Sequence, residues 1–178
     1  MHRTPECNFC HCGAQAWAVT TQSRVVIVDR ADASFLQQVA WQAFNTARLS
    51  PYAHSKKARR LFGSKSGYLH TMVLRLPDGK RVDHINGAGM DCRRINLRPS
   101  TQKQNTHNRR PMRGSTSKYR GVSWQSRKNK WVAQIDVGGK HYHIGYFASE
   151  DEAAAAYDVE AGRHFGEFAR LNFQAAII

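Results

Sequence analysis

The spacing of apolar residues changes along the chain, and each change predicts an element. Arg24-Val25-Val26-Ile27-Val28-Asp29 is a β-branched run and predicts a buried strand. In the next stretch Leu36, Val39, Ala40, Ala43 and Phe44 fall at i, i+3, i+4, i+7 and i+8, one face of a helix that Asp32 or Ser34 can cap. These are core positions. Residues 50 to 67 (SPYAHSKKARRLFGSKSG) interleave Tyr and Phe with basic residues and read as strand and loop. Tyr68 to Leu76 alternates weakly, as a strand does. Pro77-Asp78-Gly79-Lys80 is a turn, and Arg81-Val82 opens a short strand that ends on Asp83 and His84. Residues 100 to 108 carry few apolar positions but a good cap in Ser100, and read as a short helix.

From Arg109 to Ser117 (RRPMRGSTS) there is no periodicity, only Pro, Gly, Ser and charge, which is a linker. Beyond it the pattern is different. Tyr119 to Gln125 is a strand candidate. Lys130 to Val137 alternates, Gly138-Gly139 is a hairpin turn, and Lys140 to Phe147 completes three antiparallel strands. Ser149-Glu150-Asp151-Glu152 is a capping box. It opens an Ala-rich helix to about His164, with Ala153, Ala156, Tyr157 and Ala161 on one face. The expected class is α+β, organised as an N-terminal segment (1–22), a first domain (23–110), a linker (111–117) and a second domain (118–173) made of a three-stranded antiparallel sheet packed on one helix.

Composition adds a partner. With 41% hydrophobic residues the chain can bury real cores. No apolar run approaches the ~20 residues that span a bilayer, and the start, MHRTPECNFC, lacks the apolar region of a secretory signal. A soluble cytoplasmic protein with no membrane partner is expected. The net charge of +14 is concentrated: residues 51 to 113 carry 15 Lys/Arg against 3 Asp/Glu. An anionic polymer suits such a block, and places residues 50 to 67 on a DNA-facing surface. The second domain is polarised, with 6 Lys/Arg and 1 Asp in residues 114 to 147 but 2 Arg and 6 Asp/Glu in 148 to 178. Its sheet, not its helix, should therefore face DNA.

The cysteines are Cys7, Cys10, Cys12 and Cys92, without the even spacing of a disulfide framework, so reduced thiols are expected. Cys7, Cys10 and Cys12, with His11 and His2 near them, hold enough soft ligands for a structural Zn²⁺. The second Cys-x-x-Cys half of a zinc ribbon is missing, and an ordinary terminus with free thiols is the alternative reading.

The chemistry is concentrated in residues 82 to 108, VDHINGAGMDCRRINLRPSTQKQNTHN. Asp83 and His84 are adjacent, Asn96 follows a polar Gly-containing loop, and Asn105 comes nine residues later. Phosphodiester hydrolysis needs a deprotonated water, a neutralised phosphorane and a stabilised leaving oxygen. A histidine titrating near neutrality serves the first, and one divalent metal the other two. A carboxylate and an amide oxygen suit Mg²⁺ or Mn²⁺ rather than zinc. Asp-His alone is weak evidence; the spaced Asn residues and basic setting strengthen it.

Asp83-His84-Ile85-Asn86-Gly87, Asp91-x-Arg93, Asn96-Leu97-Arg98 and Asn105 resemble the HNH endonucleases, especially those of phage and homing origin. The likeness is specific over 82 to 108 and looser back to about Val25. It implies a small ββα-metal domain in which His84 is the general base, Asp83 and Asn105 hold the metal, and Asn96 ties the loop and holds His84. Arg93, Arg94 and Arg98 are implied phosphate contacts. The last place of the motif is Asn105 rather than His. Cys92 stands where Asn is commoner, and reads as a small buried residue. His107 lies about 200° around a helix from Asn105 and is not favoured as a ligand.

Tyr119-Arg120-Gly121-Val122, Trp131-Val132-Ala133, Ile144-Gly145-Tyr146-Phe147, Glu152-Ala153-Ala154, Ala156-Tyr157-Asp158 and Leu171-Asn172-Phe173 make the second domain similar to the APETALA2/ethylene-response-factor DNA-binding domain. In that family the sheet lies in the major groove. The corresponding contact positions are Arg120, Ser123, Gln125, Gln134, Asp136, His141 and His143. Only Arg120 keeps the family's Arg, so the plant target sequence is not expected. Arg127, Lys128 and Lys130 can hold phosphates, while Trp131 and Tyr157 are core. The two resemblances together imply a metal-dependent endonuclease acting on double-stranded DNA, phage-encoded or bacterial. The alternative is a DNA-binding regulator with a silent nuclease fold. No heptad or amphipathic seam suggests anything but a monomer.

Overall fold

A computed structural model describes residues 7–44, 50–76, 80–102, 104 and 116–173. The protein is mixed α/β, with small antiparallel sheets and few helices. It divides into two compact units, Met1–Asn105 and Thr106–Ile178. No helix among the described residues is long and apolar enough to cross a membrane.

The first unit opens with an antiparallel sheet of β1 (Cys7–Phe9), β2 (Gln15–Val19) and β3 (Val25–Asp29), in that order. The strand expected at 24–29 is present; β1 and β2 arise where no strand was expected. Ala16, Ala18, Val26 and Val28 alternate into the core beside Leu36, Trp41, Leu69 and Val73. The long helix expected through Phe44 is replaced by α1 (Ala33–Gln38) and β4 (Gln42–Phe44). Val39 is already extended, and Val39, Trp41 and Ala43 are buried while Ala40, Gln42 and Phe44 are exposed. That alternation fits a strand, and the Trp41 indole N–H donates to the Phe35 carbonyl at 2.9 Å, fixing the bend. Asp32 sits at the start of α1 but makes no side-chain cap.

β4 pairs with β5 (Tyr52–His54). The expected loop after β5 is instead α2 (Lys56–Leu61), whose N–H of Ala58 is accepted by the Ser55 hydroxyl. The strand expected over 68–76 is α3 (Leu69–Leu74); Leu69, Met72 and Val73 are buried at helical spacing. β6 (Arg81–His84) and β7 (Leu97–Ser100) form a two-stranded antiparallel pair. Ser100 thus ends a strand. The cap of the next turn is Thr101, which exchanges hydrogen bonds with Gln104: N–H to Oε1 at 2.9 Å, and Gln104 N–H to Oγ1 at 3.2 Å. Residues 77–79 of the turn expected at Pro77-Asp78-Gly79-Lys80, Asn105, His107 and most of the linker lie outside the described residues.

The second unit follows its pattern closely. β8 (Val122–Gln125), β9 (Lys130–Val137) and β10 (Lys140–Phe147) are antiparallel in the order β10-β9-β8. Gly138 and Gly139 both take positive φ, which the two-residue turn between β9 and β10 requires. α4 (Glu150–Phe165) opens on the expected capping box: Ser149 Oγ accepts from Glu152 N at 3.1 Å, and Glu152 Oε2 from Ser149 N at 3.4 Å. Ala153, Ala154, Tyr157 and Ala161 are buried against Val122, Ala133 and Ile135, with Ala154 taking the place expected for Ala156. Trp131 packs on this core.

Candidate functional site

β6 delivers Asp83 and His84 to its C-terminal end, both buried. Asp83 stands opposite Arg98 across the β6–β7 pair, and His84 opposite Leu97. The loop from 85 to 96 is closed across its base by the Asn96 side chain. Asn96 is buried; its Oδ1 accepts from Asn86 N at 2.9 Å, and its Nδ2 donates to the Asp91 carbonyl at 2.8 Å. The Asn96 carbonyl also accepts from Ile85 N. A carboxamide suits this place because it donates and accepts at once.

The first sheet braces the same loop. Ile27 N donates to the Met90 carbonyl at 3.0 Å, and Cys92 N donates to the Ile27 carbonyl at 2.8 Å. Gly89 N donates to Ser50 Oγ at 2.6 Å. Cys92 is fully buried in the core, as expected, and burial raises its thiol pKa far above the ordinary value.

Arg93, Arg94 and Arg98, the phosphate contacts expected beside the motif, each have a carboxylate partner within the unit. Arg98 donates from Nε and Nη2 to Asp83 Oδ2 at 2.9 and 2.7 Å. Arg93 forks onto Asp91 at 2.8 and 2.6 Å, and Arg94 onto Asp32 at 2.8 and 2.7 Å, with Arg94 N donating to Asp29 Oδ2. Burial pushes the Asp91 carboxyl up, but Arg93 and Asn86 outweigh it and hold the pKa below its ordinary value. Asp83 has the hard oxygen that Mg²⁺ or Mn²⁺ takes, so its chemistry fits such an ion. The Arg98 guanidinium supplies positive charge to that carboxylate here.

His84 lies among rings. His70 meets it edge-on, centroids 4.9 Å apart at 90°, and Tyr52 lies at 5.5 Å. His70 is stacked on Tyr68 at 5.4 Å. Burial pushes the His84 pKa down to about 4, against the pull of Asp83 and Asp91. Burial, then the charge of His84, pushes His70 down to about 3. Both imidazoles are therefore neutral at pH 7. The sequence reading missed Asp29, Asp32, Tyr52, Tyr68 and His70 as neighbours of this site. His70 looks like any residue of an apolar segment, and Asp32 like a helix cap.

At the N-terminus Cys10 and Cys12 are joined as a disulfide, correcting the expectation of reduced thiols there. Cys7 is free, its pKa raised by burial. Among the described residues no group of three or more His, Cys, Asp or Glu is gathered as a metal site.

In the second unit the face of the sheet turned away from α4 carries three polar pairs, Gln134 opposite His143, Asp136 opposite His141 and Gln125 opposite Lys130, while Ser123 stands opposite the buried Val132. His141 Nδ1 meets Asp136 Oδ1 at 2.7 Å. Arg127, Lys128 and Lys130 are exposed, with Lys128 Nζ 3.9 Å from the Tyr146 ring centroid. Arg120 is placed differently: its Nε donates to the Tyr157 hydroxyl at 2.8 Å, and its backbone is clasped by Asn172. Trp131 and Tyr157 serve the core.

Residues 117–161 match the AP2 domain family. Protein 3.8 of Escherichia phage T7 is 28% identical over 97 residues, 54% of this chain and 79% of the phage protein. An uncharacterised HNH endonuclease of Acanthamoeba polyphaga mimivirus is 30% identical over 107 residues, 59% of this chain and 54% of the viral protein. The dehydration-responsive element-binding protein 2C of Arabidopsis thaliana is 50% identical over 56 residues, 30% of this chain and 16% of the plant protein. The chain thus spans little more than half of the mimivirus relative and a small part of the plant one. Residues 117–161 thus carry an AP2 domain, and the likeness to the mimivirus HNH endonuclease supports an HNH plus AP2-like architecture.

Proposed function

We propose that the protein is a metal-dependent DNA endonuclease whose AP2 domain binds double-stranded target DNA. The observation that carries this reading is the braced pair at the end of β6: Asp83 and His84 side by side, in a loop closed by both ends of the Asn96 carboxamide. The likeness to the mimivirus HNH endonuclease supports this reading. His84 is the general base. Its imidazole is neutral at pH 7, the form that accepts a proton from water. Asn96 positions the loop, and through it His84. Asp83 is one metal ligand, and Asn105, outside the described residues, is the second by its place in the motif. A Mg²⁺ or Mn²⁺ ion bound there would neutralise charge on the phosphorane and the leaving oxygen. The hairpin of β6 and β7, followed by the turn capped at Thr101, is the ββα element of this reading. The products are a 5′-phosphate and a 3′-hydroxyl. The exposed polar face of β8–β10 takes the major groove, while Arg127, Lys128 and Lys130 hold phosphates.

A second reading has its own observation. Arg98 forks onto Asp83, and a carboxylate kept in that pair leaves a DNA-binding regulator with a silent nuclease fold. Supercoiled plasmid incubated with the protein in Mg²⁺ and in EDTA separates the two. Nicking in Mg²⁺ alone is expected. His84→Ala should lower it roughly 10²- to 10⁴-fold and leave DNA binding within about threefold. No metal-dependent nick on any of several DNAs favours the regulator.

A further inference from the structure

The ribbon of β4 and β5 turns alanine inward and rings outward. Ala43 and Ala53, opposite one another, are buried. On the other face Phe44 stands opposite Tyr52, and Gln42 opposite His54. Tyr68 extends the row through an antiparallel bridge to His54. A half-solvated antiparallel pair ordinarily turns polar side chains to water. Here Phe44 is 47% exposed, and Tyr52, His54 and Tyr68 are half-buried.

The rings form a continuous row. Phe44 lies 5.4 Å from His54, His54 5.0 Å from Tyr68, Tyr68 6.2 Å from Tyr52, and Tyr52 5.5 Å from His84. One end of the row is therefore the proposed general base. The flank is cationic: α2 begins one residue after the capping Ser55, and its Lys56, Lys57, Arg59 and Arg60 are exposed. Flat rings beside cations that follow a phosphate backbone are how proteins hold nucleotides whose bases are not paired. A paired duplex shows a protein only base edges in its grooves, and edges do not stack. An unpaired base offers the rings a face.

We propose that Phe44, Tyr52, His54 and Tyr68 form a stacking platform for an unpaired nucleobase beside the scissile phosphate, so that this site takes DNA that is unpaired at the cut. The proposal rests on His84 being the base of a DNA nuclease. The test is equilibrium binding in EDTA by the full chain carrying His84→Ala, so that cutting does not compete with binding. The probes are a duplex with a single 2-aminopurine bulge and the same duplex fully paired. The bulged duplex should bind roughly tenfold tighter, with 2-aminopurine fluorescence falling as the base stacks. Adding Phe44→Ala should remove most of that preference and leave affinity for the paired duplex within about twofold; Phe44→Trp should keep it. Equal affinity for the two duplexes, or a preference that Phe44→Ala leaves intact, overturns the platform. Plasmid cleavage by the wild type is followed in parallel. Cleavage without a bulge preference overturns the platform alone. A bulge preference without any cleavage overturns the nuclease reading and leaves the base-binding surface standing.

Discussion

The two units set a carboxylate against a side-chain nitrogen across paired strands at opposite depths. In the first, Asp83 and Arg98 meet across β6 and β7 at 2.7 Å with side chains 2% and 13% exposed. In the second, Asp136 and His141 meet across β9 and β10, also at 2.7 Å, with side chains 78% and 58% exposed. The distances agree and the energetics do not. A desolvated carboxylate that loses its cation is left in low dielectric, a large cost. An exposed pair merely returns to water. On the proposed function the depth of each pair would suit its unit: the first would hold reacting groups fixed, and the second would keep a polar face whose water DNA can displace.

Substitution on each side of this contrast should separate the two pairs. Arg98→Ala should destabilise the first unit by about 3–5 kcal/mol, read by urea denaturation. If Asp83 is a metal ligand, millimolar Mg²⁺ should restore much of that loss, and an absence of restoration counts against the ligand assignment. The second unit is vulnerable in packing rather than charge. A Cβ at Gly121 would collide with the Tyr157 ring, and the φ there is +73°. Gly121→Ala should therefore cost roughly 3 kcal/mol and lower the melting temperature of that unit.

A pH change should act on the first unit through His70 and His84. Their folded pKa values, about 3 and about 4, lie below the ordinary 6.5. Both are buried neutral, so the stability they contribute is complete above pH 6.5. It declines as the pH falls from 6.5 toward 4 and 3, because the unfolded chain takes up protons that the folded one refuses. The slope is about 1.4 kcal/mol per pH unit for each histidine. Amide exchange over residues 69–100 at pH 7 and pH 5 reads this directly. The smallest effect belongs to the exposed pair: His141→Ala should change stability by less than about 1 kcal/mol, and a larger loss would break the contrast.

The same division governs what the sequence revealed. In the second unit the signals are local: alternation in β9, two glycines at the turn, and a capping box four residues long all act between near neighbours, so the elements and the core face were legible. In the first unit the elements are short. Val39, Ala43 and Phe44 fit a helical period as well as Val39, Trp41 and Ala43 fit a strand; the pairing of β4 with β5 decides between them. Leu69, Met72 and Val73 were obscured in the same way by a weak alternation. At the site, Asp83, His84 and Asn96 stood out because their types and spacing are unusual. Their surroundings did not. Asp32 finds Arg94, and Tyr52 and His70 find His84, only once distant segments have packed.

The two backbone hydrogen bonds from Ile27 to the loop, one to Met90 and one from Cys92, mean that the motif is not a portable cassette. A fragment cut to begin just before Arg81 would retain Asp83, His84 and Asn96 yet lose the strand against which their loop is laid. Grafting residues 81–100 onto another scaffold would need an exposed strand edge beside the graft, presenting one free N–H and one free carbonyl at a single residue.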